Sequence, residues 1–411
     1  MNRSGDANIM FVLESFVSKY VTKREKSMFA VDIERNKELL RNKIKGKSVL
    51  VIGGAGSIGS SFIRAILPFK PATLVVVDTN ENALAELTRD LRSTKGMYVP
   101  EDYVTYPMDF ASPVFEKMFR NRGGFNIVGN FSAHKHVRSE KDIYSVEALL
   151  QNNVLHAKLL LDLLSEYPPE EYFCVSTDKA ANPVNIMGAS KRIMEDVIFS
   201  YSDKFPVKTA RFANVAFSNG SLPAGFISRI QKLQPLSAPS DVRRYFVSPE
   251  ESGQICLLSC ILGENRAIFF PKLEEAQMMT FDGIARNLLK EHGYEVLECD
   301  SDEEAIEKAE DLKAGSSKYP VHFSVSDTSG EKPFEEFVTD TETADYNRFT
   351  SLGVITGKAI PNKGGLEKLF VELNEVFDKA ETTKEEVVAI MKDYLPNFEH
   401  IETGKSLDSK M

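Results

Sequence analysis

The sequence predicts an α/β protein: a Rossmann-type doubly wound parallel sheet, a smaller C-terminal α/β region and an N-terminal helical extension. Three observations predict this class. Short runs rich in β-branched residues recur through the first half of the chain, as expected for strands buried on both faces. Segments with helical periodicity separate these runs. A glycine-rich turn follows the first strand and precedes the first helix of this series.

The predicted elements follow one another in a regular order. Residues 1–47 are predicted to form one or two amphipathic helices, and residues 48–54 the first buried strand. The alternation continues with a helix at 60–67, a strand at 73–78, a helix at 81–91, a strand at 125–131, a long helix at 146–166 and a strand at 172–176. Beyond residue 215 it weakens, but an acidic helix at 301–313 and two terminal helices at 366–380 and 384–395 are predicted.

These changes of pattern divide the chain into four predicted segments. They are an N-terminal helical extension at 1–47, a Rossmann domain at 48–215, a second α/β region at 216–345 and a C-terminal helical tail at 346–411. The basic stretch at 41–47 is interpreted as a solvated helix face, with a membrane-surface role as the alternative.

The composition excludes several classes of protein. The 411 residues are 42% hydrophobic and 27% charged, typical of a globular protein with a large core. A net charge of −10 provides no field that would gather nucleic acid, so no nucleic-acid partner is expected. The four cysteines form no CxxC pair, which predicts buried free thiols, no metal site and a reducing, cytoplasmic location. No signal peptide, membrane-spanning segment or membrane partner is expected.

A dinucleotide site is predicted where the first strand meets the first helix. Glycines in that turn allow backbone N–H groups to approach a pyrophosphate at the helix N-terminus. The residues of the turn assigned to the cofactor are Gly53, Gly56, Ser57, Ile58 and Gly59. Asp78 follows about 19 residues later at a strand end, where an acidic side chain binds a ribose 2′-hydroxyl, which favours NAD over NADP. Asp109 and Phe110 follow the next strand and are assigned to the cofactor; Asp109 is the candidate for the adenine, with a simple turn as the alternative.

The segment at 176–192 carries the predicted chemistry. Thr177, Asp178 and Lys179 follow a buried strand and therefore lie at the carboxyl edge of the sheet, where doubly wound folds bind ligands. Met187 and Lys191 are four residues apart on one face of the next helix. This arrangement resembles the extended short-chain dehydrogenase/reductase family and its YxxxK signature, with Met187 in the position of the tyrosine. A thioether cannot exchange a proton as a phenol does.

One branch of that family has the same departure. The TDK triplet with a methionine nine residues after its aspartate resembles the polysaccharide-biosynthesis (CapD-like) UDP-N-acetylglucosamine 4,6-dehydratases that retain the C5 configuration. Further matching segments are FSAHKHV at 131–137, NNV at 152–154, RFANV at 211–215, NGS at 219–221, DVRRYF at 241–246 and SDTSGEKPFEE at 326–336. The resemblance covers roughly residues 45–270 and about 320–340.

The resemblance implies a redox-neutral dehydration of a nucleotide sugar with bound NAD. Lys179 would be the base at sugar C5, Asp178 the acid that protonates the departing C6 hydroxyl, and Thr177 a hydrogen-bond partner of the C4 oxygen. Lys191 would hold the nicotinamide ribose. Since Met187 cannot accept the C4 hydroxyl proton, Asp178 or an ordered water is the candidate acceptor.

The resemblance also implies the remaining ligands. Ser132 is assigned to the cofactor, and the residues assigned to the substrate are Lys135, His136, Asn214, Ser221, Arg229, Arg244 and Glu331. Arg244 matches the arginine of the family's DxxRYF segment, whereas Arg229 falls where glutamine is usual, so that an exposed ion pair explains it equally well. His134 and His136 lack a third metal ligand nearby and are interpreted as loop residues.

Three broader expectations complete the prediction. A homo-oligomer is expected, with the apolar face of residues 8–21 as an additional contact. A nucleotide-sugar 4-epimerase is the first alternative, although epimerases need no acid at C6 and the TDK triplet argues against one. A non-catalytic NAD-binding regulator is the second alternative, in which Met187 marks a lost activity.

Overall fold

A mostly parallel sheet forms the centre of the molecule. The computed structural model describes residues 11–135, 140–326 and 335–401. Its strands are β1 Ser48–Ile52, β2 Thr73–Asp78, β3 Asp102–Pro107, β4 Ile127–Asn130, β5 Glu171–Val175, β6 Val207–Ala210, β7 Asn214–Val215, β8 Leu236–Pro239, β9 Arg243–Arg244, β10 Phe246–Val247, β11 Ala267–Pro271, β12 Met279–Thr280, β13 Glu295–Cys299, β14 Lys318–Ser324, β15 Ala344–Asp345 and β16 Leu352–Ile355. The main sheet has the order β15-β16-β11-β6-β5-β4-β1-β2-β3.

Helices cover both faces of this sheet. They are α1 Leu13–Phe16, α2 Ala30–Arg35, α3 Lys37–Ile44, α4 Ser57–Ile66, α5 Glu81–Ser93, α6 Pro113–Arg122, α7 Ile143–Leu150, α8 His156–Glu166, α9 Ile186–Phe199, α10 Leu222–Gln231, α11 Pro249–Leu262, α12 Phe281–Glu291, α13 Asp302–Ala309, α14 Lys363–Phe377 and α15 Lys384–Tyr394. A π-helical turn at Gln151–Leu155 joins α7 to α8, so the predicted long helix is nearly continuous. None of the helices in the described part of the chain has the length and apolarity needed to cross a membrane.

The parallel strands at the centre of the main sheet are apolar because both faces of the sheet are buried. Strands β1 to β6 and β11 run parallel, and the first two are apolar along almost their whole length. One apolar cluster joins α6 to α9, α14 and α15, and a second joins α3, α4, α5 and α11. The doubly wound parallel sheet predicted from the sequence is therefore confirmed.

A second, smaller sheet packs beside the main one. Strands β13, β14 and β8 pair in parallel and pack against α10 and α12. The N-terminal extension joins this cluster, because Phe16, Val17 and Val21 are buried in it. The apolar face expected to contact another subunit thus packs mainly within the chain, while a homo-oligomer remains a prediction.

The C-terminal segment does more than form helices. Strand β16 pairs antiparallel with β11 inside the main sheet, and β15 pairs with β16. The main sheet therefore takes strands from both segments beyond residue 215, and the boundaries at 215 and 345 remain predictions. Helix α15 begins with a capping box of Thr383 and Glu386, one residue later than the sequence pattern suggested. The four cysteines are buried free thiols, as predicted.

Candidate active site

The turn between β1 and α4 requires glycine at two positions. Gly53 has a φ of +71°, and a Cβ there would lie 2.5 Å from the backbone nitrogen of Ser132. A Cβ on Gly59 would lie 2.4 Å from the carbonyl oxygen of Gly53. Gly56 is the N-cap of α4 and offers no side-chain acceptor to the first N–H groups of the helix. The turn therefore leaves backbone N–H groups at a positively polarised helix end, which suits a pyrophosphate.

Asp78 lies at the end of β2, beside this turn. One carboxylate oxygen accepts a hydrogen bond from the backbone N–H of Ala55 at 3.0 Å, and the other accepts one from Asn80 at 3.0 Å. These bonds fix the carboxylate against the wall of the cavity that the turn opens into. The side chains at the end of β3, Asp109 and Phe110, line the same cavity.

A single cavity of about 1360 Å³ connects these residues to the rest of the predicted site. This volume exceeds the roughly 300–1,000 Å³ of a pocket for one drug-sized ligand, so it has room for two. The predicted site residues that line it are Gly53, Gly56, Ser57, Ile58, Gly59, Asp78, Asp109, Phe110, Ser132, Lys135, Thr177, Asp178, Lys179, Met187, Lys191, Asn214, Ser221, Arg229 and Arg244. His136 and Glu331 lie outside the described residues.

The TDK triplet follows β5 and forms a hydrogen-bonded unit at the cavity wall. The Thr177 hydroxyl donates to Asp178 Oδ1 at 2.8 Å, and Lys179 Nζ lies 3.4 Å from the same oxygen. The Asp178 N–H donates to the carbonyl of Phe212 at 3.2 Å, which anchors the triplet to the segment after β6. Asp178 is buried, whereas the Lys179 side chain is 25% exposed. A carboxyl group and an amine are thus held side by side at the cavity wall.

Helix α9 presents Met187 and Lys191 on the predicted common face. Lys191 is buried, and its Nζ donates to the carbonyl of Val175 at 3.1 Å. Burial lowers the pKa of Lys191, against the opposing effects of Cys174 and Glu195. Met187 is 1% exposed; its side chain packs in the apolar core and also lines the cavity. The position of the family's tyrosine is therefore filled by a group without an exchangeable proton.

Cationic residues also line the cavity. Arg244 is buried and donates from Nη1 to the carbonyl of Arg243 at 2.9 Å. Arg229 donates to the side-chain oxygen of Gln234 at 2.8 Å, so its partner is an amide and not the carboxylate of the expected alternative. Ser221 caps α10 by accepting the Ala224 N–H.

The sequence reasoning missed one carboxylate of this cavity. Glu335 lines it, and its two oxygens accept hydrogen bonds from Asn214 Nδ2 at 2.6 Å and from the Tyr245 N–H at 2.5 Å. The segment at 326–336 signalled a functional residue, but the resemblance pointed to Glu331 in that segment. Nothing local distinguishes one loop glutamate from another, because burial depends on where the loop folds.

Metal ligands were not expected at this site. Across residues 11–135, 140–326 and 335–401, the structure has no group of three His, Cys, Asp or Glu side chains placed to hold a metal ion.

The parallel sheet, the glycine turn and the TDK segment define an extended short-chain dehydrogenase/reductase. More particularly, the chain belongs to the family of polysaccharide biosynthesis proteins, whose sequence model matches residues 49–356. It is 26% identical over 336 residues to the probable polysaccharide biosynthesis protein EpsC of Bacillus subtilis, which covers 81% of this chain and 51% of EpsC. The chain thus spans about half the length of that relative.

Two further comparisons concern the sequence and the fold. The inverting UDP-N-acetylglucosamine 4,6-dehydratase of Campylobacter jejuni is 25% identical over 236 residues, covering 56% of this chain and 67% of that protein. The structure of Pen from Bacillus thuringiensis superposes with a TM-score of 0.61 at 18% identity, covering 78% of this chain and 91% of Pen. The second likeness shows that the two proteins share a fold.

Proposed function

We propose that the protein is an NAD-dependent nucleotide-sugar 4,6-dehydratase that converts UDP-N-acetylglucosamine to a UDP-4-keto-6-deoxy sugar with retention at C5. The observation that carries the proposal is the hydrogen-bonded Thr177–Asp178–Lys179 unit, which lines the same cavity as the glycine turn, with Met187 in the position of the expected tyrosine. The Campylobacter jejuni relative supports the reaction class. That relative is called inverting, so retention at C5 rests on the resemblance carried by Met187.

The residues of the cavity fit a nicotinamide dinucleotide. The glycine turn and the N-terminus of α4 would hold the pyrophosphate, and Asp78 the adenosine ribose. A carboxylate at that position would repel a 2′-phosphate, which supports NAD over NADP. Phe110 would contact the adenine and Lys191 the nicotinamide ribose. When bound, the dinucleotide supplies reversible hydride exchange with the sugar.

The TDK unit would carry out the elimination. Once C4 is a ketone, its neighbouring C5 proton is acidic, and Lys179 in its neutral form would remove it. Asp178 would protonate the C6 oxygen, so that the C6–O bond breaks and water leaves. Thr177, already hydrogen-bonded to Asp178, would hold the C4 oxygen. Acid and base lie 3.4 Å apart, which allows both proton transfers within one bound geometry.

Cations in the cavity would suit a nucleoside diphosphate. The chain carries a net charge of −10, so phosphate binding needs local positive charge. Lys135, Arg229 and Arg244 line the cavity and would supply it, while Asn214 and Ser221 would add polar contacts. Four buried free thiols support the proposal that the enzyme works in the reducing cytoplasm.

The decisive experiment is mass spectrometry of the nucleotide sugar after incubation with the purified chain. We expect wild-type protein with NAD to remove one water from UDP-N-acetylglucosamine, and proton NMR of the product to show retention at C5. Asp178→Asn and Lys179→Met should lower kcat by at least about a thousand-fold, because each removes one partner of the elimination. Lys232→Met, a change at an exposed lysine outside the cavity, is the matched control.

Other outcomes would assign the site differently. An unchanged mass with an altered C4 configuration would make the protein a 4-epimerase. Binding of NAD without turnover of any nucleotide sugar would contradict the dehydratase and favour a regulator.

A further inference from the structure

The loop at 216–221 joins β7 to α10 and contains a strained aromatic residue. Phe217 has a φ of +56°, a left-handed conformation that bulky residues rarely adopt because it costs free energy. Two turns hold the backbone around it: the Ser218 N–H donates to the Val215 carbonyl at 3.2 Å, and the Ser221 N–H to the Ser218 carbonyl at 2.9 Å. Such a conformation persists only where its surroundings stabilise it, so the contacts of the Phe217 ring need an explanation.

The ring of Phe217 packs against the N-terminal extension. It meets the ring of Phe16 edge to face, with the two centroids 5.8 Å apart and an interplanar angle of 82°. Phe16 is 3% exposed and lies in the apolar cluster of the second sheet, against which Phe217 packs. The ring of Tyr20 also packs on Phe16, with the centroids 5.1 Å apart. The extension thus supplies the apolar contact that offsets the backbone strain.

Polar contacts anchor the extension on the rest of the chain. The Tyr20 hydroxyl donates to Glu291 at the end of α12. Arg24 makes paired hydrogen bonds to the two carboxylate oxygens of Glu251 in α11, at 2.8 and 2.7 Å. The Glu251 side chain is 1% exposed, so this ion pair is shielded from water. The extension therefore holds Phe16 in a fixed position.

The same loop reaches the cavity and the glycine turn. Ser218, Gly220 and Ser221 line the cavity. The Asn219 N–H donates to the hydroxyl oxygen of Ser57 at 2.9 Å. Ser57 is the first residue of α4, the helix whose N-terminus would hold the pyrophosphate, and it lines the cavity as well. A chain of printed-sequence neighbours and direct contacts therefore runs from the extension to the cofactor turn.

We propose that Phe217 is a positioning residue for the dinucleotide, held in place by Phe16 of the N-terminal extension. The loop that it fixes brings the Asn219 N–H to the Ser57 oxygen. This bond occupies a lone pair of that oxygen, so the hydroxyl proton of Ser57 would donate to a phosphate oxygen of the dinucleotide. The inference rests on the nicotinamide dinucleotide of the proposed function, and it gives the extension a part in cofactor affinity.

The first test measures the strain at Phe217 without any cofactor. Phe217→Ala and Phe217→Gly both remove the ring, but only glycine adopts the left-handed conformation without a steric penalty. Since the turns on either side still require that conformation, the Tm of Phe217→Gly should lie about 2 °C above that of Phe217→Ala. A Tm of Phe217→Gly equal to or below that of Phe217→Ala would overturn the strained loop and the inference with it.

The second test measures the affinity of the cofactor-free full chain for NAD by calorimetric titration. Loss of a hydrogen bond to a charged phosphate should raise the Kd by about five- to ten-fold in both Phe16→Ala and Phe217→Ala. Phe217→Tyr keeps the ring and should stay within about two-fold of wild type. Phe205→Ala is the matched control, because its ring is equally buried, at 4% exposed, but lies in a different apolar cluster. It should leave the Kd of NAD as in wild type.

A double-mutant cycle determines whether Phe217 acts through Ser57. Ser57→Ala removes the hydroxyl and should raise the Kd of NAD roughly ten-fold. The double variant of Ser57→Ala and Phe217→Ala should bind NAD within about two-fold of Ser57→Ala alone, because the group to be positioned is already absent. Single effects that multiply in the double variant would show that Phe217 acts independently of Ser57 and would overturn the inference.

The outcomes separate the inference from the proposed function. If wild type binds NAD and Phe16→Ala and Phe217→Ala bind it equally well, the positioning role is wrong while the dehydratase stands. If Phe205→Ala loses as much affinity as they do, the effect is general destabilisation, and the positioning role is again wrong. A wild-type chain that binds no NAD would overturn the proposed cofactor and, with it, the positioning role.

Discussion

Single residues at the glycine turn and on α9 decide what the cavity accepts. Gly53 allows the turn to approach the Ser132 backbone more closely than any side chain permits. Met187 fills the wall where a phenol would otherwise act, and it packs into the core at the same time. Under the proposed function, the first residue would set where the dinucleotide binds, and the second would leave proton transfer to Thr177, Asp178 and Lys179.

A pair of glycine substitutions tests the close approach at the turn. Gly53 and Gly96 both have positive φ, but a Cβ on Gly53 meets backbone atoms whereas nothing lies within 4 Å of one on Gly96. We expect Gly96→Ala to cost about 1 kcal/mol of unfolding free energy from backbone strain alone. Gly53→Ala should cost about 1–3 kcal/mol more from overpacking and weaken NAD binding at least about ten-fold. Urea unfolding measures the free energy of unfolding, and NAD titration measures the affinity. Equal effects of Gly53→Ala and Gly96→Ala on these two quantities would contradict the role of the close approach.

At the scale of elements, the site depends on helices packed tightly enough to fix the turn. Helix α11 crosses α4 at Gly253, where a Cβ would lie 2.1 Å from the Ser61 carbonyl oxygen. Ser57, the first residue of α4, accepts a hydrogen bond from the Asn219 N–H at 2.9 Å, which ties this helix to the loop before α10. Helix α4 is therefore held at its N-terminus by the loop before α10 and at its middle by α11.

Two helical glycines should respond in opposite directions to alanine. At Gly253 the added methyl has no room, so Gly253→Ala should lower the free energy of unfolding by about 1–3 kcal/mol as the two helices are pushed apart. At Gly225 in α10 nothing lies within 4 Å, so Gly225→Ala should raise it by about 0.5–1 kcal/mol through helix propensity. Denaturant unfolding of both variants measures the difference. Stabilisation by Gly253→Ala would show that the helices are not in contact there.

At the scale of the whole molecule, a buried ion network joins the sheet, α9 and the C-terminal segment. Arg211 follows β6, is 0% exposed and makes paired hydrogen bonds to both Glu195 and Glu342. Glu195 also accepts from the Ser176 hydroxyl at 2.7 Å, directly before the TDK triplet. Lys358 completes the network at Glu342. The loop that carries residues 177–179 and the segment that carries Glu335 are thus both attached, directly or through Glu195, to the guanidinium group of Arg211.

This network predicts how the free energy of unfolding depends on pH in the acidic range. Burial opposes ionisation of Glu342, but hydrogen bonds and charge from Arg211, with Lys358, outweigh it and lower the pKa of Glu342 from 4.5 to about 2. A lowered pKa stabilises the fold fully above the unfolded value, and that contribution, about 3 kcal/mol, is lost as pH falls from about 4.5 towards 2. Glu342→Gln should therefore cost about 3 kcal/mol at pH 7 and flatten the acid limb of the stability curve.

Urea unfolding between about pH 2 and about pH 7 measures this limb. Glu367→Gln, at an exposed position on α14, is the control and should leave the limb as in wild type. An unaltered acid limb for Glu342→Gln would show that the network contributes no pH-dependent stability.

The sequence alone determined the parts of this protein that rest on local pattern. Alternating buried strands and amphipathic helices specified the doubly wound sheet, because each element carries its own periodicity. The glycine spacing, Asp78 and the triplet at 177–179 were also readable, since the carboxyl ends of parallel strands meet at one sheet edge. All the assigned site residues within the described chain line one cavity.

Only the tertiary structure decided what depends on contacts between distant segments. Three features join residues that are far apart in the chain: the hydrogen bond between Asn214 and Glu335, the position of β16 in the main sheet, and the pairing of Arg211 with both Glu195 and Glu342. A loop glutamate or a short apolar run has the same local pattern wherever it folds. Its protonation state and partners follow from the charge and burial around it, which exist only once the chain is packed.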